Sequence, residues 1–274
     1  MINSLLLAYY NLAFIYNFVK KKVTYEQPLN EHIRSLLRLE HLFANLNYHL
    51  KGPTMWDSRA VLIAMIEILE LIARIDFRVE LLKDLQCHTQ SLERWRRIPD
   101  VDISVVNDLS VQTHELLELL EKVEPVTEDY FAHHQLLNSI KQRQSISGGT
   151  CGSDLPLFNY WLHKKPKQRQ DELMTWLAPL SPIKEAVALN LYLIRNNAVR
   201  SQEMTSEGSF QLKLDASIDY QLVQVNLPIE SLYFPEINGS KHRVSVRFFA
   251  STDVGSPATL IEQDNRFELC CCMI

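Results

Sequence analysis

The sequence predicts an α+β protein, with an N-terminal α-helical bundle domain followed by a small antiparallel β-domain. Through the first 200 residues, apolar side chains recur every three or four positions, as in amphipathic helices. After that point they alternate singly with polar ones, as in F-Q-L-K-L-D at 210–215. No helix-length pattern separates these later segments, so their strands should pair antiparallel. We expect the helical domain at 23–200 and the β-domain at 201–274, and residues near 23–28 can add a strand to the latter.

Apolar spacing and terminal signals place the helices. Asn30 can cap the first helix, and Ser181 followed by proline is typical of the start of the last. A glycine-dense loop at 145–156 separates the fifth helix from the sixth. The predicted helices are 28–50, 57–74, 77–98, 104–123, 127–144, 157–163, 171–180 and 182–199.

At least four strands are predicted in the β-domain, at 210–215, 220–226, 242–250 and 266–271, with a polar loop at 201–209. The third begins after a turn signal at Asn238-Gly239. Side chains two apart on a strand share a face, so its apolar residues should face a core and its polar ones the outside. The apolar set is Val244, Val246 and Phe248; the outer set, here called the basic row, is Lys241, Arg243, Ser245 and Arg247.

The basic row has two interpretations. It can be a solvated strand face with some ion pairs, which composition alone favours. It can also be a docking surface for an acidic peptide or phosphate, because guanidinium groups hold carboxylates through paired hydrogen bonds. Residues 201–274 carry 5 Lys and Arg against 10 Asp and Glu, so the row is a local feature of an acidic segment.

Composition excludes some classes of protein. The chain has 274 residues, 46% hydrophobic and 22% charged, which is typical of a soluble globular protein. Its formal net charge of -5 gives no reason to expect nucleic-acid binding.

The first 22 residues are unusual. Residues 5–19 are almost wholly apolar and precede three lysines, but a membrane-spanning helix needs roughly 20 apolar residues. A signal peptide would carry its positive charge before the apolar run. Three interpretations of these residues remain open: a membrane anchor, an additional amphipathic helix, or sequence translated upstream of a true start near Val23. We favour the last and expect no stable membrane insertion.

The cysteines and histidines give weak signals for chemistry. Three of the five cysteines are adjacent, at 270–272, which fits reduced cytosolic thiols better than a disulfide framework. The final C-C-M-I imitates a prenylation box, and we treat the match as chance. Cys151 with His163 as base could form a thiol-dependent enzyme, but a structural cysteine is favoured because no third orienting group is evident. No cofactor or metal is predicted.

Several other basic residues lie four apart on predicted helices and so share a local face. These are Arg34 with Arg38 and Arg74 with Arg78, and Arg143 ends a further helix. Each alone is most often solvated or ion-paired. Only convergence in space would make them a site.

Long motifs in the chain closely resemble the ZapD family, the Z-ring-associated protein D of proteobacteria. The resemblance covers residue 25 to the C-terminus and leaves out residues 1–22. Its motifs are Y-E-Q-P-L-N-E-H-I-R-S-L-L-R-L-E (25–40), R-I-D-F-R-V-E-L-L-K-D-L (74–85), R-Q-S-I-S-G-G-T-C-G-S-D-L-P (143–156), Y-W-L-H (160–163), L-Y-F-P-E-I-N-G-S-K-H-R-V-S-V-R-F (232–248) and F-E-L-C-C (267–271).

The resemblance implies a non-enzymatic cytoplasmic protein of cell division and septation that acts at mid-cell. Members form homodimers and bind the acidic, amphipathic C-terminal peptide of FtsZ, the tubulin-like GTPase of the division ring. They cross-link FtsZ filaments into bundles that support Z-ring assembly. A thiol enzyme using Cys151 remains the alternative.

The family's basic pocket lies between its helical and β parts, and its arginines map onto Arg74, Arg243 and Arg247. Further basic family positions, with less defined roles, match Arg34, Arg38, Arg78, Lys241 and Arg143. The chain departs from the family pattern at Asn159, a position where relatives can carry His. It also departs where a family Arg is replaced by Asp264 or Asn265, with Arg266 as a candidate substitute.

Overall fold

The computed structural model describes residues 22–73, 77–99, 101–122, 134–251, 253 and 255–274. Contacts divide the chain into two compact units. The helical unit is residues 35–190, and the sheet unit combines the described residues of 22–34 and 191–274.

The helices follow the predicted order, and most of their bounds are shifted by a few residues. Residue 74 of the predicted second helix and residues 127–133 of the predicted fifth lie outside the described residues. Asn30 caps the first, because its Oδ1 accepts the Ile33 amide at 2.8 Å, as predicted. The prediction that Ser181 caps the last helix was wrong, because a 3₁₀ turn at Ala178–Leu180 leads directly into that helix and Ser181 itself has helical backbone angles. The helices are α1 (Glu31–Leu50), α2 (Met55–Ala73), α3 (Phe77–Trp95), α4 (Ile103–Lys122), α5 (Gln135–Arg143), α6 (Pro156–Leu162), α7 (Pro166–Leu177) and α8 (Ser181–Asn196).

The core of the helical unit surrounds α2, which is apolar on most of its circumference and buries nine residues. A helix of that kind can lie only in an interior. Arg169 of α7 is buried nearby and donates to Ser58 Oγ at 2.9 Å, to the Leu162 carbonyl at 3.0 Å and to the Pro53 carbonyl at 2.8 Å. One guanidinium therefore satisfies acceptors from three parts of the chain, which offsets the cost of burying it.

Eight strands form two antiparallel sheets in the sheet unit. One sheet has the order β1-β4-β8-β2, and the other has the order β3-β6-β5 with β7 beside the end of β6. The strands are β1 (Lys22–Pro28), β2 (Ala198–Met204), β3 (Ser209–Lys213), β4 (Tyr220–Pro228), β5 (Tyr233–Gly239), β6 (Arg243–Ala250), β7 (Thr259–Leu260) and β8 (Arg266–Met273).

Side chains from both sheets share one apolar core. Val223 and Val225 of β4 and Leu269 of β8 meet Val246 and Phe248 of β6 in a single cluster. The fold class is therefore the predicted α+β arrangement of a helical part followed by antiparallel sheets. Because β1 pairs with β4 along its whole length, the N-terminal end of the described chain belongs to the sheet unit.

Two local predictions about the strands were wrong. Residues 201–204 of the segment 201–209, expected to be a loop, belong to β2, and Ser209 begins β3. The polar residues of β2 tolerate the sheet edge because, among the described strands, only β8 pairs with it. Asn238 and Gly239 end β5 rather than forming the turn, which lies at 240–242, where the Ser240 amide donates to the Arg243 carbonyl at 2.9 Å.

Candidate functional site

Strand β6 has one face in the core and one in solvent, as its alternating residues predicted. Val244, Val246 and Phe248 are completely buried. Arg243 and Arg247 are exposed on the opposite side. The alternation thus places two guanidinium groups on the outward face of the β3–β6–β5 sheet.

The sheet register shows which residues surround those arginines. On β3, Lys213 lies opposite Arg243, Gln211 opposite Ser245, and Ser209 opposite Arg247. On β5, Asn238 and Glu236 lie opposite Ser245 and Arg247. Directly opposed residues of an antiparallel pair share a face. We call this outward surface the cationic face; it comprises Ser209, Gln211, Lys213, Glu236, Asn238, Arg243, Ser245 and Arg247.

Positive charge exceeds negative charge on the cationic face, with three cations against one carboxylate. Arg247 Nη2 lies 3.4 Å from Glu236 Oε2, and both side chains are about half exposed. Within the part of the chain that the structure describes, Lys213 and Arg243 form no ion pair, and nor does Lys241 in the neighbouring turn. Exposed and unneutralised cations of this kind can receive carboxylates from a ligand.

The remaining basic candidates have different environments. Arg78 is half-buried and donates from Nη1 to the Leu120 carbonyl at 3.1 Å, so it holds α3 against α4. Arg34 pairs with Glu31 one turn earlier, at 3.1 Å. Arg38 and Arg143 are exposed on α1 and α5. Arg74 lies outside the described residues, so its place relative to the others stays a prediction.

The glycine-dense loop borders a cavity of about 270 Å³ in the helical unit. Trp56, Arg59, Cys151, Phe158 and Asn159 are among its lining residues. The Arg59 guanidinium lies 5.8 Å from the centres of both aromatic rings and also donates to the hydroxyl and carbonyl of Thr150. Arg59 therefore has a structural role, since it joins the loop to α2.

The Cys151 thiol is exposed and lies 2.9 Å from Ser153 Oγ. That hydrogen bond, with backbone amides beside it, lowers the pKa of Cys151. The proposed base, His163, engages its Nδ1 with the carbonyl of Asn159 at 2.8 Å. The Cys151 thiol thus takes part in a hydrogen bond within its own loop.

The three adjacent cysteines lie inside β8 and are buried. Burial raises the pKa of Cys271 to about 11 and that of Cys272 further, in the same direction. A lipid-modified cysteine must be accessible as a thiolate, and Cys271 packs in the core between the sheets. The terminal C-C-M-I therefore continues a strand.

The described ranges contain neither a metal-binding cluster nor a membrane-spanning helix. No group of three or more His, Cys, Asp or Glu residues in them could hold a metal ion. No helix in them is long and apolar enough to cross a bilayer.

Comparison with known proteins identifies the family. The model of the ZapD family, described as a cell division protein, matches residues 37–247. The chain belongs to the ZapD family. A protein named Cell division protein ZapD from Methylococcus capsulatus is 34% identical over 93% of this chain and 100% of its own length. Proteins with the same name from Aromatoleum aromaticum and Photorhabdus laumondii are 32% and 33% identical, covering 92% and 91% of this chain and 98% and 97% of their own.

The two departures from the ZapD pattern have definite surroundings. Asn159 is exposed on α6 beside Gly152, where a Cβ added to the glycine would lie 3.0 Å from its side chain. Asp264 accepts the Glu207 amide at 3.1 Å, which holds the tight turn before β3. Arg266 begins β8 and is exposed.

Sequence reasoning missed two charged members of the cationic face, Lys213 and Glu236. Both lie on strands flanking β6, and their positions depend on inter-strand register. The alternating F-Q-L-K of β3 did put Lys213 on the polar side of its strand. Pairing the polar side of β3 with the outer side of β6 would have placed Lys213 beside the arginines.

Proposed function

We propose that this ZapD-family chain binds the acidic C-terminal peptide of FtsZ on the cationic face and cross-links FtsZ filaments into bundles at the mid-cell division site. The observation that carries the proposal is the excess of exposed cations on that face, in a segment where acidic residues outnumber basic ones. An acidic peptide is the ligand that such a surface favours, because each guanidinium can hold a carboxylate with two hydrogen bonds.

Binding at one site should be weak, because a flexible peptide loses conformational entropy when it docks. Bundling needs two sites in one particle, so we propose that the protein acts as a homodimer. Along a filament, repeated tails raise the effective concentration for the second site. A weak peptide site can therefore cross-link polymers strongly.

The remaining family-derived positions complete the proposal. Arg74 is the expected third arginine, and Arg34, Arg38, Arg78, Lys241 and Arg143 are expected to add positive charge along the path of the peptide. Of these, Arg78 should matter least for binding, since its guanidinium already holds a helix carbonyl.

The test is co-sedimentation of FtsZ bundles with an Arg243→Glu/Arg247→Glu variant. Both residues are exposed, so the variant should remain folded, while the reversed charge should abolish bundling. Raising the ionic strength should weaken wild-type bundling, because exposed charges are screened. The control, Lys51→Glu/Arg97→Glu, makes the same charge change at exposed positions of the helical unit.

Two further measurements separate peptide binding from dimerisation. Fluorescence anisotropy with a labelled FtsZ C-terminal peptide reports the single site, and analytical ultracentrifugation reports the dimer. Normal bundling by the Arg243/Arg247 variant would exclude the cationic face as the docking surface. Equal loss in the control variant would show that net charge alone is responsible.

A further inference from the structure

An exposed thiol and a guanidinium border the same cavity of the helical unit. Cys151 lines it from the glycine-dense loop, and Arg59 lines it from α2. Arg59 donates to the carbonyl and the hydroxyl of Thr150, the residue that precedes Cys151. The positive charge of Arg59 is therefore held next to the thiol.

The charge of Arg59 is not neutralised within the part of the chain that the structure describes. Arg59 is only partly exposed, and among those residues it forms no ion pair. Its other contacts are with the rings of Trp56 and Phe158, whose centres lie 5.8 Å from the guanidinium carbon. Aromatic faces attract a cation but do not cancel its charge. A partly covered guanidinium beside a cavity points to an anionic ligand, and a carboxylate fits its paired donors.

The cavity has the size and the access that a small molecule needs. Its volume of about 270 Å³ is near the lower end of the range for small-ligand pockets, about 300 Å³. Phe158 is buried in its wall, whereas the Trp56 ring is 70% exposed, so the cavity is open to solvent. A small anion entering it therefore meets Arg59 and Cys151 together.

The surroundings of the Cys151 thiol favour its reactive form. Sγ lies 2.9 Å from Ser153 Oγ. The Ser153 hydroxyl and the backbone amides of Asp154 and Ser153 lower the pKa of the thiol, while desolvation and the charge of Asp154 oppose this and are outweighed. Because the thiolate is the nucleophilic form of cysteine, these donors promote attack by the sulfur.

We infer that Cys151 is a site of reversible S-thiolation, and that the cavity receives the carboxylate-bearing half of a low-molecular-weight disulfide such as glutathione disulfide. The Cys151 thiolate attacks one sulfur of that disulfide, a bond forms between this sulfur and Sγ, and the disulfide bond of the small molecule breaks. The other half leaves as a thiolate and takes up a proton, which replaces the proton that Cys151 released. Cys151 is thus oxidised to a mixed disulfide by the small disulfide, which is itself reduced. Arg59 binds the carboxylate and so orients the attacked sulfur.

Cys87 provides an internal control, because its thiol is exposed on α3 and does not line the cavity. The folded full-length protein is treated with glutathione disulfide, which is anionic, or with hydroxyethyl disulfide, which is neutral. Mass spectrometry then follows the mixed disulfide at each cysteine. The ratio of the Cys151 rate to the Cys87 rate should be about tenfold larger with the anionic probe, as expected for one charge-assisted hydrogen bond.

Two variants test the role of Arg59. Arg59→Gln removes the charge and should abolish the preference of Cys151 for the anionic probe, whereas Arg59→Lys keeps the charge and should retain most of that preference. Equal rate ratios for the two probes in wild type would overturn the proposal, and so would an Arg59→Gln protein with the wild-type preference. Loss of the preference in Arg59→Lys as well would assign Arg59 to holding the loop alone, and would also overturn the anionic site.

Discussion

The two sheets of the sheet unit differ in how their basic residues are neutralised. On the β1–β4–β8–β2 sheet, two cations at the face turned away from the shared core pair with carboxylates, while the exposed Arg200 and Arg266 on that face form no ion pair among the described residues. Lys22 Nζ lies 3.0 Å from Glu268, and Arg195 of α8 lies 2.7 Å from Glu26. The cationic face carries three cations and one carboxylate, and of the three only Arg247 lies within ion-pair distance of Glu236.

Burial accounts for the difference. Arg195 and Glu26 are largely covered, and burial alone would raise the pKa of Glu26, but the charge of Arg195 and hydrogen bonds from Arg195 and Gln224 outweigh it and lower that pKa. A covered charge needs its partner inside the protein, since water cannot solvate it. An exposed charge needs no such partner and can exchange water for a ligand. An unpaired cation on a strand face therefore costs the fold little free energy only where it remains solvated.

The largest effect expected from this contrast is on stability. Arg195→Met should lower the free energy of unfolding by about 3 kcal/mol, because it leaves the Glu26 carboxylate covered and without its cation. Arg243→Met, which removes an exposed guanidinium of the same charge, should change it by less than about 0.5 kcal/mol. Urea unfolding followed by circular dichroism measures both. Equal losses of unfolding free energy in the two variants would show that the cations of the two faces contribute equally to stability.

A smaller effect is expected on the pH dependence of stability. Since the pKa of Glu26 is lowered in the folded protein, its contribution is present above the unfolded value of 4.5 and is lost as pH falls from there through the folded value. Glu26→Gln should therefore flatten the decline of unfolding free energy below about pH 4.5, whatever its effect at neutral pH.

The control for the pH experiment is Glu121→Gln, at an exposed position of α4. Urea unfolding at several pH values gives the slope for each protein. A Glu26→Gln slope that matches wild type would contradict the assignment of acid sensitivity to the covered pair.

The smallest effect concerns the one carboxylate on the cationic face. Glu236→Gln should tighten binding of the FtsZ C-terminal peptide about threefold, because Arg247 loses an exposed ion pair worth only a few tenths of a kcal/mol and the peptide meets less repulsion. Anisotropy titrations at low and moderate salt measure it. Weaker binding would mean that Glu236 holds Arg247 in its binding orientation.

Local patterns predicted most of the fold, and the failures occurred where the pattern was not local. The alternation of Val244, Val246 and Phe248 with Arg243 and Arg247 predicted both faces of β6, because side-chain direction follows from the strand itself. Strand β2 was missed, because an edge strand exposed on much of its surface needs few apolar residues.

The candidate site was half predictable for the same reason. Arg243 and Arg247 follow from one strand, but Lys213 and Glu236 reach the cationic face only through pairing of separate segments. Register depends on the turn between strands and on the packing of the whole core. The expected turn at Asn238-Gly239 was misplaced by a few residues, and no pairing scheme built on that turn would have set Glu236 beside Arg247.

The strand order β1-β4-β8-β2 has a consequence for biosynthesis. Lys22 pairs with Pro228, and β8, which follows every other strand along the chain, lies between β4 and β2. At roughly 5–20 residues per second, a ribosome needs tens of seconds to pass from the first of these strands to the last. Throughout that time the nascent chain carries strands whose central neighbour has not yet been made. The sheet that carries Glu26 and Glu268 can close only after β8 has been made, so its folding waits for the strand that follows the others along the chain.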